Sequence, residues 1–156
     1  MLFSKINRLL LLVLLISWSV FSQKYPGKFY DASNVLPNNT IRSLFVDSTN
    51  TLWIGTDNGI VSKKNGVFES YFEEDGLALN SCWAISEDIF QNMWFGSYGA
   101  GISIYNGTEF RIISENDGLV HNEITKLFPQ GDFMYVGTSD GVSRINIKDY
   151  KVSSWD

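Results

Sequence analysis

Apolar and polar residues alternate along most of this chain in short runs, and the runs are separated by Asn, Asp and Gly. Ile41-Arg-Ser-Leu-Phe-Val-Asp47 has the β-branched and aromatic content of a strand. Asp47-Ser-Thr-Asn50 then supplies side chains that bond their own backbone in a turn. Thr51 to Thr56 reads as a second strand, and Asp57-Asn-Gly59 is a strong hairpin signal. Ile60 to Lys64 is a third strand, Asn65-Gly66 turns the chain again, and Val67 to Phe72 is a fourth. The plan repeats with strands at Ser81 to Glu87, Asn92 to Ser97, Ile102 to Tyr105 and Phe110 to Ser114. A third set covers Ile124 to Phe128, Met134 to Thr138, Val142 to Ile147 and Tyr150 to Trp155. Pro129 lacks the N–H that a central strand needs, so it is expected at a strand end.

The three sets are copies of one unit. Thr51-Leu-Trp-Ile-Gly-Thr-Asp-Asn-Gly-Ile60 recurs as Asn92-Met-Trp-Phe-Gly-Ser-Tyr-Gly-Ala-Gly-Ile102 and as Phe133-Met-Tyr-Val-Gly-Thr-Ser-Asp-Gly-Val142. Trp53, Trp94 and Tyr135 stand 41 residues apart, as do Gly55, Gly96 and Gly137. A β-rich period near 40 points to propeller blades. The fold class expected is all-β, a partial β-propeller of about three four-stranded antiparallel blades, with boundaries at 36–76, 77–118 and 119–156. The linker recurs as Glu74-Asp-Gly-Leu77 and Asn116-Asp-Gly-Leu119, followed by Asn80 and Asn122, with Asn39 in the same place after Leu36. On this register Cys82 shares a column with Ile41 and Ile124 and reads as a small buried hydrophobe. The same count sets Phe29-Tyr30 beside Ser70-Tyr71, so residues 23–35 are expected to be a lead-in segment forming an outer strand.

Residues 1–22 have the pattern of an export signal. Lys5 and Arg8 precede an apolar run from Leu9 to Ile16, and Val20 and Ser22 suit cleavage before Gln23. The apolar stretch from Leu9 to Phe21 is 13 residues, short of the roughly 20 that a membrane helix needs. No membrane span is expected after cleavage, and the location expected is periplasmic or secreted. The whole chain carries a net charge of −5, and loss of Lys5 and Arg8 takes it to −7. That balance gives no reason to expect nucleic-acid binding. With one cysteine, no intrachain disulfide forms and stability must come from packing.

Reactive chemistry is sparse. A nucleophile elbow, a phosphate-binding glycine loop and a paired-cysteine metal motif are all missing, so the expectation is a non-enzyme with no catalytic residues, no metal and no cofactor. His121 is the only histidine and lies in a linker, as a turn residue. Asp47-Ser-Thr-Asn-Thr51 lacks the glycine and terminal glutamate of a calcium loop and reads as an Asx-type turn. Glu73-Glu-Asp75 and Glu115-Asn-Asp117 repeat at equivalent linker sites and read as solvated loops. Trp53, Trp94 and Tyr135 recur in one column, which favours packing between blades over sugar stacking. Trp83 and Tyr98 break the repeat, since their counterparts are Arg42 or Thr125 and Asp57 or Ser139. Aromatics that depart from a repeated scaffold are the ligand-binding candidates.

Asn39-x-Ile41-x-x-Leu44-x-x-Asp47…Leu52-Trp-Ile-Gly-Thr56-x-x-Gly59, with its copies at Asn80…Ser97 and Asn122…Gly141, resembles the two-component regulator propeller repeat. The resemblance covers about residues 25–156. It implies the N-terminal periplasmic sensor region of a Bacteroidota-like hybrid two-component system. There, larger propellers bind a carbohydrate or similar ligand ahead of a membrane helix and a histidine kinase. This sequence departs from that pattern in having about three blades and no sandwich, second hydrophobic span or kinase signature, as an N-terminal fragment would. Its expected function is a non-catalytic periplasmic sensor module with an oligosaccharide ligand. The alternative is a secreted or periplasmic interaction scaffold built from blades. Three blades would leave two open apolar faces, so self-association or contact with further blades of a longer sensor is expected.

Overall fold

A computed structural model describes residues 27–155, apart from the side chains of 154 and 155. The export signal expected at 1–22, and residues 23–26 of the lead-in, lie outside the described residues. The first sheet contains β1 (Ile41–Val46), β2 (Leu52–Thr56), β3 (Gly59–Lys64) and β4 (Val67–Tyr71). The second contains β5 (Cys82–Glu87), β6 (Met93–Ser97), β7 (Ile102–Tyr105) and β8 (Phe110–Ile113). The third contains β9 (Ile124–Gln130), β10 (Phe133–Thr138), β11 (Gly141–Asn146) and β12 (Val152–Trp155). Each sheet is antiparallel with its strands in chain order, a propeller-type arrangement.

Local chemistry explains the hairpins. Thr56 Oγ1 donates to the Gly59 carbonyl and accepts the Asn58 N–H, closing the β2–β3 turn. Ser97 and Thr138 do the same for their own hairpins. That is the role of the hydroxyl residue in each copy. The hairpins vary in length only at their rims. Tyr98-Gly-Ala-Gly101 is one residue longer than Asp57-Asn-Gly59 or Ser139-Asp-Gly141. The turn between β9 and β10 is shorter than its counterparts, so β9 runs on to Gln130. Pro129 therefore lies inside β9 rather than beyond it, next to last in an edge strand, where a missing N–H costs little.

The strand-two glycines permit close approach between sheets. A Cβ on Gly55 would stand 2.6 Å from the Cys82 carbonyl and 2.9 Å from its Sγ. On Gly96 it would stand 2.5 Å from Ile124 Cγ2. The inner residue of each following sheet thus inserts against the glycine of the preceding one. The column shows what this burial depends on. Cys82 and Ile124 are 1% and 0% exposed, whereas Ile41, with no preceding sheet among the described residues, is 40% exposed. At the other end, Val142 is 43% exposed, while its counterparts Ile60 and Ile102 are 1% and 0%. Both outer faces are therefore partly bare, as expected of an arc.

Linkers sit at the seams. Leu77 joins the first seam with Trp53, Ile60, Cys82, Met93 and Phe95, and Leu119 joins the second. Each linker forms a 3-10 turn, at Glu73–Asp75 and Glu115–Asp117. These segments are exposed, as expected, but they are not slack. Asn80 Oδ1 accepts the Glu73 N–H (2.8 Å), and Glu73 Oε1 accepts the Asn80 N–H (3.0 Å). Glu115 and Asn122 repeat the exchange at 2.9 and 2.8 Å. The lead-in keeps half of it, with Ala32 N–H on Asn39 Oδ1. Its register is therefore the expected one, but its conformation is not. Residues 27–35 contain a turn rather than an outer strand. Asp31 is the cause. Its carboxylate accepts from Ser33 and from the Asn34 amide, and its carbonyl takes the N–H groups of Asn34, Val35 and Leu36. Tyr30, Val35 and Leu36 then pack over Ile54, Val61 and Phe68.

Candidate functional site

The pairing of β1 with β2, β5 with β6 and β9 with β10 is irregular at one place in each sheet. The residue skipped there is Arg42, Trp83 or Thr125. Such a bulge re-aims its side chain toward the rim. The first residue after strand two, Asp57, Tyr98 or Ser139, stands on the same rim. In the first sheet the two positions form a bidentate ion pair, Arg42 Nε and Nη2 to Asp57 at 2.6 and 2.7 Å. In the second they form an aromatic stack, Trp83 on Tyr98, with centroids 4.5 Å apart and planes 24° apart. In the third, Ser139 Oγ lies 3.0 Å from His121 Nδ1.

The groups of the first two sheets make one row. The Arg42 guanidinium carbon lies 4.5 Å from the Trp83 ring centroid, and Trp83 Nε1 donates to Ser81 Oγ at 3.0 Å. Ser81 Oγ in turn reaches Asp57 at 3.4 Å. The hydrogen bond to Asp57 holds Arg42 protonated, and the same bond keeps the Asp57 carboxyl below the ordinary carboxylate range. Trp83 is half-buried between Arg42 and Tyr98, whereas Tyr98 itself is 42% exposed. Below the row a groove of about 240 Å³ runs across the inner strands, with Leu44, Ile85, Lys126 and Leu127 among its walls. The two aromatics singled out from the sequence are thus brought together. Arg42, Asp57 and Ser81 were missed as members, because a surface ion pair has no sequence signature of its own.

Other residues singled out lie elsewhere. Trp53 and Trp94 face the following sheets. Trp53 lies 5.3 Å from Phe95 and 5.8 Å from Tyr71, and Trp94 lies 6.2 Å from Tyr150. Their indole N–H groups donate to Asp47 and Asp88, each at 2.8 Å. Asp47 also accepts from Thr49 and Thr51, as an Asx-type turn does. Burial pushes the Asp47 carboxyl up, but the bonds from Trp53, Thr51 and Thr49 outweigh it and hold the group below its ordinary value. The third copy lacks both partners. Tyr135 carries no indole N–H, and Pro129-Gln130-Gly131 stands where the aspartate would be. His121 Nδ1 accepts the Glu123 N–H, so it is a turn residue. Cys82 is buried, and burial pushes its thiol up to about 12. Among the described residues no helix is long and apolar enough to cross a membrane.

Residues 35–58 match the family described as two component regulator propeller. Histidine kinase P4 of Formosa agariphila is 23% identical over 163 aligned positions, covering 69% of this chain and 12% of that protein. Among solved structures, the extracellular domain of a proposed hybrid two-component system from B. thetaiotaomicron superposes with a TM-score of 0.74. The identity is 20%, over 83% of this chain and 20% of that one. The extracellular domain of a proposed one-component system from the same organism gives a TM-score of 0.67 at 21% identity, over 81% of this chain and 20% of that one. PorZ, a surface component of the type-IX secretion system of Porphyromonas gingivalis, gives 0.59 at 18% identity, over 78% and 19%. These structural likenesses establish the fold. The chain spans about a fifth or less of the length of each of these proteins.

Proposed function

We propose that this chain is a non-catalytic, periplasmic or secreted ligand-binding sensor module, with an oligosaccharide as its ligand. The observation that carries the reading is the Trp83–Tyr98 stack, raised on a bulge and a lengthened hairpin beside a groove. The outer face of Tyr98, with Trp83 stacked behind it, accepts the C–H side of a sugar ring, and Arg42, Asp57 and Lys126 supply hydrogen-bonding groups nearby. The family repeat and the extracellular sensor domains of similar fold support the same reading. Signal output would then belong to a longer assembly.

The test is calorimetric titration of the purified chain with a panel of soluble oligosaccharides, repeated on Trp83→Ala and Tyr98→Ala. At least one oligosaccharide should bind, and each substitution should weaken it about 10-fold or more. Unchanged affinity in both variants removes the site. Binding of a protein partner with no response to any saccharide would favour the scaffold reading, which the bare Val142 and Ile41 positions support.

A further inference from the structure

The two seams have the same origin and different contents. In the second seam Trp94 packs with Ile104, Ile113 and Ile145, all buried. Strand pairing identifies the corresponding residues of the first seam. Ser62 faces Trp53 as Ile104 faces Trp94, and Tyr71 pairs with Ile60 as Ile113 pairs with Ile102. Tyr105 pairs with Met93 as Ile145 pairs with Met134. Three isoleucines in one seam are thus a serine and two tyrosines in the other. The scaffold does not require this, since the isoleucine version packs the same tryptophan.

The consequence is a cavity. About 220 Å³ lies open in the first seam, walled by Trp53, Tyr71, Tyr105, Ser62, Lys64 and Glu69. Ser62 and neighbouring Thr51 are polar yet 6% and 5% exposed. Tyr71 Oη donates to Glu69 Oε2 at 3.0 Å, with the Ser62 hydroxyl also against it. Lys64 Nζ donates to Thr49 Oγ1 at 3.1 Å, so an ammonium and a carboxylate stand on the same rim. At about 30 Å³ per water the space holds several waters, or one compact solute in their place.

We propose that this seam is a second binding site, for a neutral polyhydroxylated solute of monosaccharide size. One cation and one anion cancel, so a charged ligand gains no net attraction. Buried hydroxyls and the Glu69 carboxylate match ligand hydroxyls, and aromatic walls match the C–H face of a small ring. The site is independent of the Trp83–Tyr98 rim and stands or falls separately.

The experiment is thermal-shift and saturation-transfer NMR on the full chain with D-glucose, D-galactose, D-mannose, D-xylose and L-arabinose, and with glycine and L-alanine as zwitterionic probes. At least one sugar should raise the melting temperature and show transfer to its ring protons. Ser62→Ile/Tyr71→Ile/Tyr105→Ile, which installs the second seam's residues, should abolish both signals. Glu69→Gln, at an exposed rim position, keeps the test alive if the triple variant misfolds, and should weaken binding about 5-fold or more. Signals that persist in Trp83→Ala, which lacks the rim stack, come from the seam, and this separates failure here from failure of the rim site. Three results would overturn the proposal. They are no response to any sugar at about 10 mM, enough to fill a millimolar site, a response to the amino acids instead, or binding retained in both seam variants.

Discussion

Asp88 is the most informative residue to remove. Its carboxylate accepts the N–H groups of Phe90 (2.8 Å) and Asn92 (3.0 Å), the Asn92 amide (3.0 Å) and Trp94 Nε1 (2.8 Å). The turn donors can find water after Asp88→Ala, but Trp94 is fully buried and its N–H cannot. A bond to a charged acceptor contributes about 1.5–3 kcal/mol, and an orphaned buried donor costs about 1–3 kcal/mol. Asp88→Ala should therefore cost about 3–4 kcal/mol. Trp94→Phe removes the same bond from the other side, together with ring volume. When Asp88→Ala is already present, Trp94→Phe should cost about 2 kcal/mol less than in the native chain, the coupling expected of one shared bond. Urea melts followed by far-UV circular dichroism at fixed protein concentration give the four stabilities. Asp47→Ala should cost less than Asp88→Ala, because the Asp47 turn is more exposed. Additivity of the Asp88 and Trp94 substitutions within about 0.5 kcal/mol would refute the reasoning.

Three further outcomes rest on the same geometry. Gly55→Ala should cost about 2 kcal/mol or more through overpacking against Ser43 and Cys82, whereas Gly137→Ala, whose nearest new neighbour is Thr125 Oγ1 at 3.3 Å, should cost under about 1 kcal/mol; equal melts would refute the close-approach account. The bare faces should drive association, since each large side chain buried is worth about 1.5–3 kcal/mol. Light scattering should find oligomers that Phe128→Lys/Val142→Lys disperses, Phe128 being 57% exposed on β9, and a sharp native monomer with cooperative unfolding at high temperature would count against it. Cys82 gives a pH signature. Its folded thiol is raised, so its contribution is complete below the ordinary thiol pKa near 9 and is lost as pH rises toward about 12. The stability difference between native chain and Cys82→Ala should shrink over that window, and a constant difference would show that burial does not perturb the thiol.

The repeat made most of the fold legible. One aromatic column set the strand order, and the Asn39, Asn80 and Asn122 column set the linkers, because Trp53 and Trp94 make the same indole bond and Asn80 and Asn122 the same backbone exchange. Cys82 was readable as core for that reason. The lead-in strand was misread because register says where a residue sits, not its backbone shape. Asp31 diverted that segment into a turn with side-chain bonds that leave no periodic trace. The one-residue slips at Tyr98–Gly101 and before Phe133 were hidden inside hairpins that still looked alike. The rim row was half legible. Trp83 and Tyr98 stood out as departures, but their mutual stacking depends on the recurring bulge, which a sequence does not display. The first-seam cavity was not legible at all, since it is a difference between packed surfaces. Only pairing register shows that Ser62, Tyr71 and Tyr105 replace three isoleucines.

The middle sheet is flanked on both sides, and every residue of its β6 is buried. Among the described residues, the outer sheets each lean on one neighbour. In a linear stack of this kind, opening begins at the ends and works inward. Amide protons of β1 and β12 should thus trade with solvent earliest and those of β6 last. The centre of the chain then acts as a slow clock, and its two ends, where any added unit would dock, as its fast hands.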